Sequence, residues 1–179
     1  MKIENVRLEE IDEIFRLYAV ASAYQKSKKT VVVWPEFDRG MVTNEIIENR
    51  QFKLLIDDRF VCVWAITFSD AQIWEKRNED LAIYIHRIAT NPDFRGHDFV
   101  GAIVSWAKDF AKSHGKQYIR LDTIGDNTRL IDHYCKCGFN FLGMFELANV
   151  DELPPHYKEG PAGLFEIDLN SDENDAKNC

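Results

Sequence analysis

The sequence predicts a mixed α/β fold, and three observations support this. Strand-like apolar stretches alternate with stretches of helical periodicity along the chain. Two strand-like runs, 52–56 and 60–68, flank Asp57-Asp58-Arg59, which reads as a hairpin turn. Later, a strand at 81–90, an amphipathic stretch at 99–113 and a strand at 118–123 follow one another in the order of a βαβ crossover.

Taken in order, residues 3–6 form a short first strand. Apolar residues at Leu8, Ile11, Ile14, Phe15, Tyr18 and Ala19 predict an amphipathic helix over 8–24. The KSKKT run breaks that pattern, and 31–37 is apolar but interrupted by Pro35. A second helix is expected at 41–49, followed by the hairpin. The charged run 70–80 reads as a loop. The strand at 81–90 is stopped by Asn91-Pro92, because the residue before proline is pushed out of helical geometry and proline cannot donate to a ladder. Val100, Ile103, Val104, Ala107 and Ala111 recur at helical spacing, and Gly115 stands where a helix C-terminus favours glycine. A short helix over 127–137 is closed by Gly138, and 139–145 and 164–169 are further strands. Residues 1–169 thus read as a single domain. The last ten, NSDENDAKNC, are polar throughout and read as a disordered tail.

A chain of 179 residues with 45% hydrophobic and 29% charged residues has the composition of a globular domain, which excludes global disorder and collagen-like structure. Cys62, Cys135, Cys137 and Cys179 are too few and too unevenly spread for a disulfide framework, so reduced thiols and a cytoplasmic location are expected. No apolar run approaches ~20 residues and the N-terminus lacks a signal-peptide core. The net charge of −8 argues against nucleic acid or an anionic membrane as partner. It suits a cationic substrate, and solubility alone also accounts for it.

Two segments carry chemistry. The first, R-I-A-T-N-P-D-F-R-G-H-D-F-V-G at 87–101, runs from strand through turn into helix. Such a turn presents unpartnered N–H groups at the positive end of a helix dipole, which is an anion site. The second places Asn127, Leu130, Ile131 and Tyr134 on one face of a short helix that ends in Gly138-Phe139. Together, over 87–139, they resemble the GCN5-related N-acetyltransferase (GNAT) superfamily, in which V-x-P-x-x-R-G-x-G-x-G cradles the pyrophosphate of acetyl-CoA. There, N-x-x-A-x-x-L-Y-x-x-x-G-F supplies an Asn and a Tyr.

The resemblance implies an acyl-CoA N-acyltransferase fold, with a central mixed, mostly antiparallel sheet flanked by helices and splayed between its fourth and fifth strands. It implies acetyl transfer from acetyl-CoA, as co-substrate and without a metal, to a primary amine of a small molecule or peptide. Ile88, Ala89 and Thr90 would offer backbone groups to the pantetheine and thioester. Arg95, Gly96, His97 and the amides of Asp98, Phe99 and Val100 would face the pyrophosphate. Asn127 would bind the cofactor arm, and Tyr134 would protonate the leaving thiolate. A dimer is common in the family.

The sequence departs from the pattern at Asp98 and Val100, where the family carries glycine. A carboxylate ~4 Å from a phosphate oxygen is repelled by about 4 kcal/mol at an effective dielectric near 20. Asp98 either caps the helix with its own carboxylate or turns outward and leaves only its N–H to the ligand. These departures keep open a module that binds CoA or a protein partner without turnover. O-acetyl transfer also stays open.

For the general base, His86 lies on the strand expected to line the site and titrates near neutrality. Glu79 and Asp80 are comparable candidates. The backbone at 89–91 is the expected oxyanion donor. Trp34, Trp64, Trp74, Tyr24 and Phe37, with the loops at 34–37 and 151–156, suit a cationic amine by charge and cation–π contact, or are ordinary packing. His133, Cys135 and Cys137 are two apart on a helix, point to different faces and are not expected to share a metal ion.

Overall fold

A computed structural model describes residues 1–28, 32–94, 96–151 and 153–171. Seven strands form one sheet: β1 (Lys2–Asn5), β2 (Gln51–Ile56), β3 (Arg59–Thr67), β4 (Ala82–Thr90), β5 (Tyr118–Ile124), β6 (Asn140–Phe145) and β7 (Ala162–Asp168). Their order is β1-β2-β3-β4-β5-β7-β6, and the β4–β5 pair alone is parallel. The helices are α1 (Ile11–Ser27), α2 (Arg39–Ile47), α3 (Ala71–Trp74), α4 (Phe99–Ser113) and α5 (Thr128–Lys136).

Local chemistry accounts for these elements. Asp57 and Asp58 both take positive φ, 49° and 57°, as a two-residue hairpin requires. Asp98 caps α4 by accepting from the Gly101 N–H at 2.9 Å, and Gly115 follows the helix at φ 65°. Asn127 caps α5 through the Leu130 N–H, and Gly138 leaves it at φ 97°. The stretch 70–80 is not a plain loop. It forms α3 and a 3₁₀ turn, because Ile73 and Trp74 are buried against Ala82, Tyr84 and Leu164, an apolar anchor that the surrounding charges mask.

The apolar face of α4, Phe99, Ile103, Val104, Ala107 and Ala111, packs on one side of the sheet against Trp64, Ile83 and Ile119, and α5 joins it through Ile131 and Tyr134. The opposite side carries α1 and α2, with Ile14, Leu17, Tyr18, Val42 and Ile46 against Val63 and Ala89. Among the described residues, no helix is long and apolar enough to cross a membrane. Of the expected tail, 172–179 lies outside the described residues.

Candidate active site

β4 and β5 are in register only over Ala82↔Tyr118, Ile83↔Ile119 and Tyr84↔Arg120. Beyond Tyr84 the two strands part, and backbone groups on that edge of β4 face a cavity of about 680 Å³ instead of a neighbouring strand. The cavity gathers His86, Ile88, Ala89, Thr90, Asn127 and Tyr134, six of the residues singled out in the sequence.

The middle of this wall is shaped by a bulge. Pairing between β3 and β4 steps from Ala65↔His86 to Val63↔Ala89, so Trp64 stands opposite both Arg87 and Ile88. Arg87 takes φ 53°, a left-handed geometry that costs a non-glycine residue ~1–3 kcal/mol. Its side chain is held by Glu45 at 2.6 and 2.5 Å, by the Tyr18 hydroxyl at 3.2 Å and over the Phe37 ring. Within the stretch expected to supply an oxyanion donor, the Asn91 N–H is committed to the Val61 carbonyl at 2.8 Å. Ala89 and Thr90 remain on the cavity wall.

At the α4 end, Arg95 lies outside the described residues. Gly96 takes φ 91°, and His97 is exposed with its ring beside that of Phe99. The Phe99 side chain is buried and Val100 packs on the same core, so only their backbones are available to a ligand. The Phe99 N–H already donates to the His97 carbonyl. Asp98 resolves as the capping alternative. Its carboxylate accepts from the Gly101 N–H and from the Cys137 thiol, 3.7 Å away. A Cβ at Gly101 would collide with that carboxylate, so the cap depends on this glycine. Among the described residues, the N–H groups of Gly96, His97, Asp98 and Val100 keep no hydrogen-bond partner, which leaves four donors at the helix entrance.

On α5, Asn127 uses its side-chain oxygen for the cap, and Tyr134 packs against Phe139 and Phe165. Burial pushes the Tyr134 phenol above its ordinary range, so it stays protonated. His133 and Cys137, one helical turn apart, do converge, with Asp98 as the third group; one ligand atom from each lies within 4.8 Å of the others. Cys135, exposed, is not part of that cluster.

The far end is aromatic and acidic. Trp34, Phe37 and His156 line the cavity, with Trp34 and Phe37 edge-on to Tyr18. Trp64 and Trp74, by contrast, are core residues. His86 does not suit the base role. Burial lowers its pKa to about 3, with Arg87 and Arg50 adding to the effect, so its imidazole holds a proton too weakly. Asp80 is bound to Arg120, and Glu79 lies on the exposed 3₁₀ turn.

Two carboxyls that the sequence reading missed stand beside His86: Asp70, just before α3, and Asp122, on β5. Burial and the neighbouring Asp122 raise Asp70 to about 7, and burial raises Asp122 to about 6 even though Tyr157 donates to it at 3.0 Å. The available signal was Asp122 inside an otherwise strand-like YIRLDTI, an acid where a strand interior favours apolar residues.

A family model described as Acetyltransferase (GNAT) family matches residues 31–139. The chain is 30% identical over 74 residues to the uncharacterized N-acetyltransferase YesJ of Bacillus subtilis, a match spanning 41% of each protein. A GNAT-family acetyltransferase from Listeria monocytogenes shares the fold at TM-score 0.74, with 19% identity over 94% of both chains. The yncA protein of Salmonella typhimurium, solved with its cofactor acetyl-CoA, does so at TM-score 0.66, with 12% identity over 94% of both chains.

Proposed function

The chain belongs to the acetyltransferase (GNAT) family, and from that membership we propose that it is an N-acetyltransferase, moving an acetyl group from acetyl-CoA to a primary amine of a small molecule or peptide. The observation that carries this reading is the cleft between β4 and β5, lined by carboxyls and aromatics, with the unpartnered amides of the turn into α4 following β4 in the chain.

The residues fit the co-substrate. Four unpartnered amides at the α4 entrance suit a pyrophosphate, and the unpaired edge of β4 suits an extended amide arm. Acetyl-CoA bound by the yncA protein supports the same assignment. Gly96, His97, Asp98 and Val100 serve the phosphates through their backbones, and Ile88, Ala89 and Thr90 serve the arm and the thioester oxygen. Asn127 borders the arm. Tyr134 donates its O–H toward the departing sulfur; a phenol kept protonated by burial suits donation, although full transfer to a thiolate runs uphill. We take residues 1–169 as one catalytic domain working in the cytoplasm, with a homodimer compatible and neither nucleic acid nor membrane as partner.

Calorimetric titration with acetyl-CoA, followed by turnover on a panel of primary amines, tests the reading. Micromolar binding with turnover supports it, and Tyr134→Phe should then lower kcat by about 10²-fold or more with acetyl-CoA affinity unchanged. Binding without turnover would favour a non-catalytic CoA-binding module, the reading that the Asp98 carboxylate in the turn supports.

A further inference from the structure

Buried charge elsewhere in this protein meets its opposite. Lys53 is bound by Glu10 and Glu4, Arg87 by Glu45, and Arg120 by Asp80 and Glu166. The floor of the cleft breaks this pattern. The side chains of His86 and Asp70 are 16% and 14% exposed, and His86 Nε2 and Asp70 Oδ2 face each other at 3.8 Å. Both atoms are shielded from solvent and have no hydrogen-bond partner. Asp122 completes the group, with one ligand atom of each residue within 4.8 Å of the others. Among the described residues, no lysine or arginine pairs with either carboxyl. His86, Asp122 and Tyr157 line the cavity, and Asp70 lies behind them. A buried carboxylate without a counter-charge costs several kcal/mol, so its retention calls for an explanation, and a ligand's charge is one.

We propose that the missing cation is the ammonium group of the acceptor, which docks on Asp122 and gives its first proton to the Asp122–Asp70 pair. The proposal rests on the acetyltransferase reading and names the base and the acceptor's charge for that site. The balance is complete. R–NH₃⁺ gives one N–H proton to the Asp122 carboxylate. The freed nitrogen lone pair forms the C–N bond at the thioester carbonyl carbon. The C–S bond then breaks, and its electron pair leaves on sulfur. The sulfur takes the Tyr134 proton, and the second N–H proton restores the phenol. The proton on Asp122 leaves to solvent, so the products are an amide, a thiol and one proton.

Asp122 is faced by Asp70 from the segment before α3, by His86 from β4, by Tyr157 and His156 from the 3₁₀ turn at Pro155–Glu159, and by Tyr134 from α5. Arg87, which also borders the cavity, is tied to Glu45. With Asp70 protonated, its Oδ2–H can serve His86 Nε2 after a small rotation, which satisfies both orphan atoms and leaves Asp122 as the charged member. Carboxyls raised to about 6 and about 7 exchange protons in the neutral range.

The test compares wild type, Asp122→Asn and Asp70→Asn by calorimetry at pH 7.5, with benzylammonium and butylammonium against benzyl alcohol and butanol as neutral counterparts. Wild type should bind at least one ammonium about tenfold or more tighter than its alcohol. Asp122→Asn should lose that preference, and acetyl-CoA affinity, which checks the fold of the variants, should stay within twofold. For any amine turned over, kcat/KM of Asp122→Asn should fall about 100-fold and lose its rise through pH 6–7. Asp70→Asn should leave that rise in place, since Asp70 is already neutral where Asp122 ionises. Equal binding of ammonium and alcohol by wild type, an unchanged preference in Asp122→Asn, or Zn²⁺ binding tightly in place of the ammonium would each overturn the proposal. Loss of acetyl-CoA binding in wild type would instead overturn the acetyltransferase reading, while the ammonium preference would still report on this one.

Discussion

His86 and Arg87 are neighbours on β4, and their surroundings could hardly differ more. Arg87 reaches Glu45, Tyr18 and Phe37, where Nε and Nη2 meet partners and the charge is neutralised. His86 reaches Asp70 and Asp122, where two polar atoms go unmet and the charges have the same sign. Burial is comparable, with side chains 15% and 16% exposed, so partner supply and not depth separates the two. The paired side can hold a strained backbone in place. The unpaired side holds free energy that a ligand can release.

Breaking the paired side should give the largest effect. Glu45→Ala leaves the Arg87 guanidinium buried and uncompensated, which costs about 3–5 kcal/mol, read by urea unfolding. A loss under about 1 kcal/mol would mean that the two sides are not different in kind.

The unpaired side should show itself through pH. Asp70 and Asp122 have folded pKa values raised above the unfolded carboxylate range, so the stability they carry is present below about pH 4 and lost as pH rises through 6 and 7. His86 and His156 act in the opposite sense. Their folded values, lowered to about 3 and about 4, carry stability that is lost as pH falls below about 6.5. Asp70→Asn should therefore raise Tm by several degrees at pH 8 and change it little at pH 3.5, below the unfolded carboxylate range, measured by calorimetric melting. An equal effect at both would show Asp70 ionised throughout.

Asp98 supplies the mildest contrast, an exposed carboxylate satisfied by backbone. Asp98→Asn keeps an N-cap and removes the charge, so acetyl-CoA affinity should improve about threefold with stability nearly unchanged. Unchanged affinity would show that the carboxylate does not reach the phosphates.

Much of the local structure around the turn into α4 was legible because its rules are local. The helix Phe99–Ser113 has the predicted ends, since its apolar spacing, its Asp98 cap and Gly115 all act within a turn or two of chain. The Asn127 cap and the Asp57-Asp58 turn are local in the same way. The Asp70–His86–Asp122 cluster was not legible. Asp70 lies in a run of charges that reads as solvated, and its burial follows from Ile73 and Trp74 docking on β4 and β7. Asp122 meets His86 only because β5 runs beside β4, 36 residues further along the chain and joined through α4. His86 was noticed, but its titration depends on burial that no local pattern reports. The convergence of His133 and Cys137 with Asp98 has the same cause, since α5 must first dock beside α4.

The three-residue register between β4 and β5 also has a mechanical side. β1 to β4 are joined by antiparallel ladders of four, six and five pairs, and β5, β7 and β6 by ladders of seven and five. The seam between these halves carries three pairs, the fewest of any junction in the sheet, so its ladder resists bending least. Bending there widens or narrows the gap with both stiff halves intact. The seam is thus a flexure, and the width of the cleft is a property of the joint as much as of the side chains on either bank.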